Sequence, residues 1–476
     1  MSLRMILKYV VFSSFLLPLS VFATDQNAIQ QQLNQLIAKQ QGKAQIAVVV
    51  QSLNSGQIIY QKNASQPLVP ASSLKILTAY AALRQLGPEY TYKTQLLTDA
   101  QQPVSNGVLR GNLYIKFAGD PDLTTEEVDQ LFATIREKGI TTVTGGLMID
   151  DGQYDNVGIA PGTVYSDKYY CYGVPIDAMN LNRNCISMTI KPAQKVGQRA
   201  QIIFMDNIPL LHDNNVITQG GGKKACGVSI RFNEETQRYQ LNGCVKQKRP
   251  TTLRVVVNNK QYARTAVTAL AQRNGIRVQG GVKKQQASPG LKVLATHNSE
   301  PVKKLVFTML KKSDNLIANA LFKTVGASYF KQPGSWDYGS KAVRQLIAAN
   351  QRVNTSGMSV IDGSGLSRFN QITATQLTQV LRQAWYDTDV ADYFFDGLPT
   401  SGMQGGSLKR RMGSKDMLGK VKAKTGTMKG VTALAGYVET HTREVLAFSI
   451  IVNGYSGSSG QYRILQDKIC QVLRAA

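Results

Sequence analysis

The chain has 476 residues, 43% of them hydrophobic and 18% charged, with 55 Lys and Arg against 30 Asp and Glu. That length suits roughly three domains with ample cores, and the composition excludes collagen-like, low-complexity and wholly disordered classes. The net charge of +25 is spread along the chain in short runs such as Lys223-Lys224 and Lys283-Lys284, so no nucleic-acid partner is expected and an anionic envelope polymer suits the balance better.

Residues 1–23 read as a secretory signal peptide: basic Arg4 and Lys8, an apolar stretch from Tyr9 to Leu19, and the small residue ending Val21-Phe22-Ala23. The apolar stretch is shorter than the ~20 residues that span a bilayer. Export is therefore the expectation, with at most peripheral membrane association.

After the leader, Ala28 to Lys39 has helical periodicity. Gln45 to Leu53 and Gln57 to Gln61 read as two strands joined by the Asn54-Ser55-Gly56 turn. A helix follows from Ser72 to Leu86 and stops at Gly87-Pro88. Farther on, Arg136-Glu137-Lys138-Gly139-Ile140 leads through Val143 to Gly145-Gly146. Gln272-Arg273-Asn274-Gly275-Ile276 leads in the same way through Val278 to Gly280-Gly281. Each follows an amphipathic helical pattern and precedes a β-like run, so the two read as related α–β units of one domain. The interruption between them holds Cys171, Cys185, Cys226 and Cys244 and a loop at Gly220-Gly221-Gly222. In an oxidising compartment, Cys171–Cys185 and Cys226–Cys244 is the simplest of three connectivities. The spacings fit no zinc signature. Cys470 lies in a final helical pattern (Tyr462, Leu465, Ile469, Leu473) and reads as a buried free thiol.

Helical patterns recur from Pro301 to Lys312 and from Leu316 to Lys323. Val421 to Lys424, Val431 to Val438 and Val445 to Val452 read as consecutive antiparallel strands before the last helix. The two chain ends then form one sheet with helices packed on it, and the middle is an insertion.

The chemistry must come without histidine. Only His212, His297 and His441 occur, and no G-x-S-x-G, H-E-x-x-H or Walker loop is present. Ser72-Ser73-Leu74-Lys75 offers another nucleophile. A serine in the first helical turn lies near the positive end of the dipole, and a lysine three residues on shares its face. A buried lysine beside other cations loses its proton readily and can act as base. The pattern also occurs at Ser328-Tyr329-Phe330-Lys331, but that copy runs into Gln332-Pro333-Gly334, a helix stop. Ser72 instead opens a helix rich in apolar residues. Ser313-Asp314-Asn315 sits between two helical patterns and by itself reads as an N-cap cluster. Lys424-Thr425-Gly426-Thr427 closes a strand, an arrangement common to polar turns.

S-x-x-K, S-D-N and K-T-G in this order are the motif set of penicillin-binding proteins and class A β-lactamases. The chain resembles a low-molecular-mass class C penicillin-binding protein, a D-alanyl-D-alanine carboxypeptidase/endopeptidase, from about Gln45 to the C-terminus. Pro70 to Lys75, Phe117-Ala118-Gly119-Asp120-Pro121, Asp362-Gly363-Ser364-Gly365-Leu366-Ser367-Arg368 and Lys424 to Val431 all carry the likeness. The long stretch between Ser72 and Ser313 matches the class C insertion, and no E-x-x-L-N offers a deacylating Glu. The family pairs cysteines around an Asp-Arg-Asn-like run, which here is Asn182-Arg183-Asn184-Cys185, without the acid.

The resemblance implies an α+β fold: a serine β-lactamase/transpeptidase-like domain (24–92 and 290–476) interrupted by an α/β domain (93–189 and 250–289) and a β-rich domain (190–249). It implies a penicillin-sensitive serine peptidase in the periplasm, acting on peptidoglycan stem peptides or D-Ala-diamino-acid cross-links without cofactor or metal. In that scheme Ser72 attacks, Lys75 is the base and Ser313 relays a proton to the leaving amine. Asn315 holds the substrate amide, and Lys424 keeps the cluster cationic and depresses the Lys75 pKa. Thr425, Gly426 and Thr427 line the site of the terminal carboxylate, and the N–H groups of Ser72 and Thr427 form the oxyanion hole. Arg368 is either an anchor for a free carboxylate of the diamino acid or a brace for its own loop. β-Lactams are the expected covalent inhibitors, and a homodimer stays open. The alternatives are a secreted serine β-lactamase and a dormant peptidoglycan-binding scaffold.

Overall fold

The computed structural model describes residues 20–476 apart from 41, 103, 222–224, 234 and 350–352, and no side chains before 27. The expected leader up to residue 19, Gly222 and Lys223-Lys224 lie outside the described residues. The first helix runs Ser20–Ala38, earlier and longer than its periodicity indicated.

The two chain ends meet in one five-stranded antiparallel sheet. Its order is Val421–Met428, Val431–Glu439, Val445–Asn453, Gln45–Ser52, Ile58–Lys62. Alternate side chains of a strand point to opposite faces, and here both faces are covered. Ala47 and Val49 pack with the helices Lys75–Leu86 and Ala374–Tyr386. Ile46, Val48 and Val50 pack with Leu33 and Ile37 of the first helix and with Leu465, Ile469 and Cys470 of the last, Gly460–Arg474. Two covered faces explain why Val445–Asn453 reads as an unbroken apolar run, every residue of it buried. Cys470 is the buried free thiol.

The middle of the chain builds a second five-stranded sheet in the order Val282–Lys284, Leu147–Asp150, Leu113–Lys116, Lys93–Thr98, Lys292–Asn298. The two glycine-linked α–β units lie side by side, one strand of each in this sheet and one of each in a small three-stranded sheet. Thr142–Val143 pairs in parallel with Arg277–Val278, and Leu147–Asp150 with Val282–Lys284. The helices that precede them, Thr125–Glu137 and Asn259–Arg273, pack together. Lys292–Asn298 pairs with Lys93–Thr98, so the sheet of the insertion extends past the boundary expected at residue 290. The β-rich part likewise exceeds 190–249, because residues 185–190 of strand Cys185–Lys191 pair with Thr251–Val256. Its other sheet joins His212–Gln219, Arg238–Lys246 and Val228–Asn233. Bonds link Cys171 to Cys185 and Cys226 to Cys244.

Around the three motifs, three elements differ from expectation. Ala71–Leu74 is one turn of 3-10 helix, and the α-helix proper starts at Lys75. The helix after Ser313-Asp314 runs Asn315–Phe330 and absorbs Ser328, Tyr329 and Phe330 into its last turn. The late strand continues through the whole K-T-G motif to Met428.

Candidate active site

Ser72 sits in the 3-10 turn, between Pro70 and the helix that carries Lys75. Ala71 adopts φ +47, a left-handed conformation unusual for a residue with a Cβ. Two neighbouring glycines let other backbone close on this turn. A Cβ on Gly365, itself at φ +85, would lie 2.0 Å from the Ala71 carbonyl oxygen. A Cβ on Gly426 would lie 2.7 Å from the Pro70 carbonyl and 3.1 Å from the Ser72 nitrogen. The glycine of the K-T-G motif is therefore a packing requirement of the serine turn.

Lys75 is fully buried. Its Nζ lies 3.0 Å from Ser72 Oγ, 2.6 Å from Asn315 Oδ1 and 2.7 Å from the Ser364 carbonyl. Burial lowers the amine from 10.5 to about 7, against the upward pull of Asp362 and Asp314. Lys424 is also fully buried, and its Nζ donates to Ser313 Oγ at 2.8 Å and to the Thr425 carbonyl at 2.9 Å. Burial first, then repulsion from Lys75, holds Lys424 well below 10.5. Burial is the first cause at both amines, and the repulsion between them acts on the pair. Two buried amines this close disfavour being charged together.

Ser313 is the left-handed cap of helix Val302–Lys312, at φ +58. Asp314 then caps the next helix, accepting from the Ile317 N–H at 3.0 Å, and its second oxygen pairs with Arg183. Arg183 also pairs with Asp122. Asn315, the first residue of that helix, gives Nδ2 to the Tyr172 carbonyl at 2.8 Å. The Cys171–Cys185 bond thus ties together the two loops that touch the S-D-N motif. Asn182 turns away from the cleft, its Nδ2 donating to Tyr262 Oη at 2.8 Å and to Thr125 Oγ1 at 3.0 Å. The position of the family's missing acid is structural here.

Arg368 donates to the Lys429 carbonyl at 2.9 Å, which is the bracing contact, and its other nitrogens keep donors. Thr425 Oγ1 donates to Ser407 Oγ at 2.8 Å, and Thr427 Oγ1 accepts from Arg463 at 3.4 Å.

The sequence reading missed Asp362, Ser364, Ser407 and Tyr172 as contributors. Asp362 is buried and accepts from Ser364 Oγ at 2.7 Å, from the Gly365 and Leu366 N–H groups at 2.9 and 3.0 Å, and from Asn370 Nδ2 at 2.8 Å. Those bonds fold the loop that aims the Ser364 carbonyl at Lys75. An Asp followed by Gly-Ser-Gly signals such a loop, but nothing local says which lysine its carbonyl meets.

The assembly holds a hydroxyl beside an amine whose pKa of about 7 gives it a substantial neutral fraction at neutral pH, a second hydroxyl–amine pair, and an open strand with two threonine hydroxyls. It can perform acyl transfer through a serine ester. Comparison with known proteins agrees. Residues 29–475 match the model of the D-Ala-D-Ala carboxypeptidase 3 (S13) family. The D-alanyl-D-alanine carboxypeptidase DacB of Haemophilus influenzae is 30% identical over 416 residues, 86% of each chain. The crystal structure of penicillin binding protein 4 (dacB) from Haemophilus influenzae superposes with TM-score 0.83 at 29% identity, covering 93% of this chain and 99% of that one. Its complex with a β-lactam gives TM-score 0.80 at 28% identity over the same shares.

Proposed function

Since this chain belongs to the D-Ala-D-Ala carboxypeptidase 3 (S13) family, we propose that Ser72 is the nucleophile of its reaction and Lys75 the base. The protein is a serine D-Ala-D-Ala peptidase, a penicillin-sensitive hydrolase. The observation that carries the assignment is the buried Lys75 amine, 3.0 Å from Ser72 Oγ and with a pKa near 7.

Ser72 Oγ passes its proton to Lys75 and bonds to the carbonyl carbon between the two D-alanines. The Ser72 and Thr427 N–H groups receive the oxyanion, a stabilisation worth roughly 2.7–4 kcal/mol per donor in other enzymes. As the C–N bond breaks, the proton that Lys75 received passes through Ser313, which Lys424 holds in place, to the leaving amine. D-Alanine leaves, and water delivered to the ester carbonyl releases the shortened peptide and returns the proton to Ser72. Asn315 orients the substrate amide. Thr425 and Thr427 take the terminal carboxylate, with Gly426 leaving room for the strand to reach Ser72. The peptide lies along Val421–Met428 as an added strand. Arg368, with donors beyond its bond to Lys429, anchors a free carboxylate of the diamino acid, and cross-links ending in D-Ala are cut by the same steps.

The reaction belongs in the periplasm, where both disulfides are stable and a leader ending at Ala23 would deliver the chain. Membrane association is at most peripheral in this reading. Among the described residues, no helix is long and apolar enough to cross a bilayer. Homodimerisation is the assembly that sedimentation would test.

Incubation with a penicillin followed by peptide mass spectrometry tests the assignment. One adduct on Ser72 is expected, lost in Ser72→Ala. An adduct on Ser328 or another serine contradicts it.

A further inference from the structure

A cavity of about 320 Å³ opens on the side of Ser313 and Asn315 that faces the insertion. Its walls include Arg183, Arg254, Lys312 and Tyr172 as well as Asp314 and Asn315. Arg183 is matched by Asp122 and Asp314. The other two cations are not matched. Arg254, on strand Thr251–Val256, has a hydrogen bond at 2.5 Å to the Cys185 carbonyl. Lys312 ends the helix Val302–Lys312, where a cation suits the dipole. Both are exposed, and neither has a carboxylate partner among the described residues. Two exposed cations without a carboxylate partner among the described residues thus line a cavity that Ser313 also lines, a setting suited to an anion. Arg254 retains donors beyond that carbonyl bond, and a guanidinium is suited to carboxylate.

We propose that this cavity is a subsite for a free carboxylate of the stem peptide being cut, namely the α-carboxylate left exposed by a γ-linked glutamate upstream of the D-alanines. The proposal rests on the peptidase reading above and extends it to substrate choice. Asn315 is shared: it orients the amide of the penultimate D-alanine and lines the cavity. The glutamate lies two residues upstream of the penultimate D-alanine, at most ~7 Å farther along an extended chain, and the cavity begins at Ser313 and Asn315, which bond the Lys424 and Lys75 amines. Recognition here favours stem peptides whose glutamate is free over those in which it is amidated.

The test uses the full protein and three pentapeptides: one unmodified, one with the glutamate α-carboxylate amidated, and one with the diamino acid's free carboxylate amidated. The readout is the kcat/KM ratio of unmodified to amidated substrate, for wild type, Lys312→Gln, Arg254→Gln and the double variant. Wild type should prefer the free glutamate by about tenfold. Each single variant should lower that preference, and the double variant should bring it near one, chiefly through KM. The preference over the amidated diamino acid should stay as in wild type. A glutamate preference that survives both substitutions, or variants that lose only the diamino-acid preference, overturns the subsite. Fluorescent penicillin labelling runs in parallel. Labelled wild type with no glutamate preference refutes the subsite alone, whereas unlabelled wild type refutes the peptidase reading and the subsite with it.

Discussion

A protonated Lys75 has three N–H groups, and Ser72 Oγ, Asn315 Oδ1 and the Ser364 carbonyl accept all three. Two of those partners can only accept. When the amine is neutral its lone pair therefore has one donor to meet, the Ser72 hydroxyl, and the cage itself directs proton transfer. Keeping the amine this dry has a signature in stability. Its folded pKa of about 7 lies below the unfolded 10.5, so between those values the unfolded chain binds more protons and folding strengthens as pH rises. Below about 7 both states are charged and the burial penalty stands in full. Lys75→Met should abolish penicillin labelling of Ser72 and flatten the rise in melting temperature between pH 7 and 9 relative to wild type. A variant that keeps the wild-type slope would place the titration elsewhere. Ser72, Lys75, Ser313, Asn315 and Lys424 were legible because each belongs to a contiguous motif. Asp362 and Ser364 were not assigned roles, because their link to Lys75 spans 289 residues of sequence and only the folded chain makes it.

At the scale of elements, glycine decides how closely three segments approach. Gly365 and Gly426 have no room for a Cβ against the Pro70 to Ser72 backbone, and at 2.0 and 2.7 Å the obstacle is the main-chain oxygen of Ala71 and of Pro70, which cannot swing aside. Gly426→Ala should leave a folded protein, since Ala is tolerated in a strand, yet slow acylation by a hundredfold or more through a displaced Ser72 turn. Gly365→Ala adds the strain of a positive φ and should also destabilise by about 2 kcal/mol. Thermal melts with penicillin labelling check both; normal labelling in Gly426→Ala would show that the contact is not limiting. The buried strands were readable from their apolar runs. The sequence of Val421–Met428 shows only its first half as strand, because Lys424-Thr425-Gly426-Thr427 looks like a turn and only the ladder to Val431–Glu439 reveals it as strand. Helix Asn315–Phe330 was likewise shortened, since Thr324, Gly326 and Ser328 weaken its pattern while tertiary packing sustains it.

Across the whole molecule, the insertion does more than separate two motifs. It supplies Arg183 and Tyr172 to the S-D-N motif, and it buries Lys323 of the Asn315 helix against Asp155 at 2.5 Å. The related α–β units were visible as repeated Gly-Ile and Gly-Gly steps, and they pair in parallel as neighbours. Sheet membership of Cys185–Lys191 and Lys292–Asn298 was not visible, because a strand's sequence does not name its partner. The cleft at the junction depends on one property above all, an amine beside Ser72 that gives up its proton near pH 7. The rate of Ser72 acylation by a penicillin, followed from pH 5 to 9 in the wild-type protein, measures that property. The rate should rise tenfold per pH unit below about 7 and level off above it. A rate that is flat across this range, or one that rises only above pH 9 as for an ordinary lysine, would contradict the account.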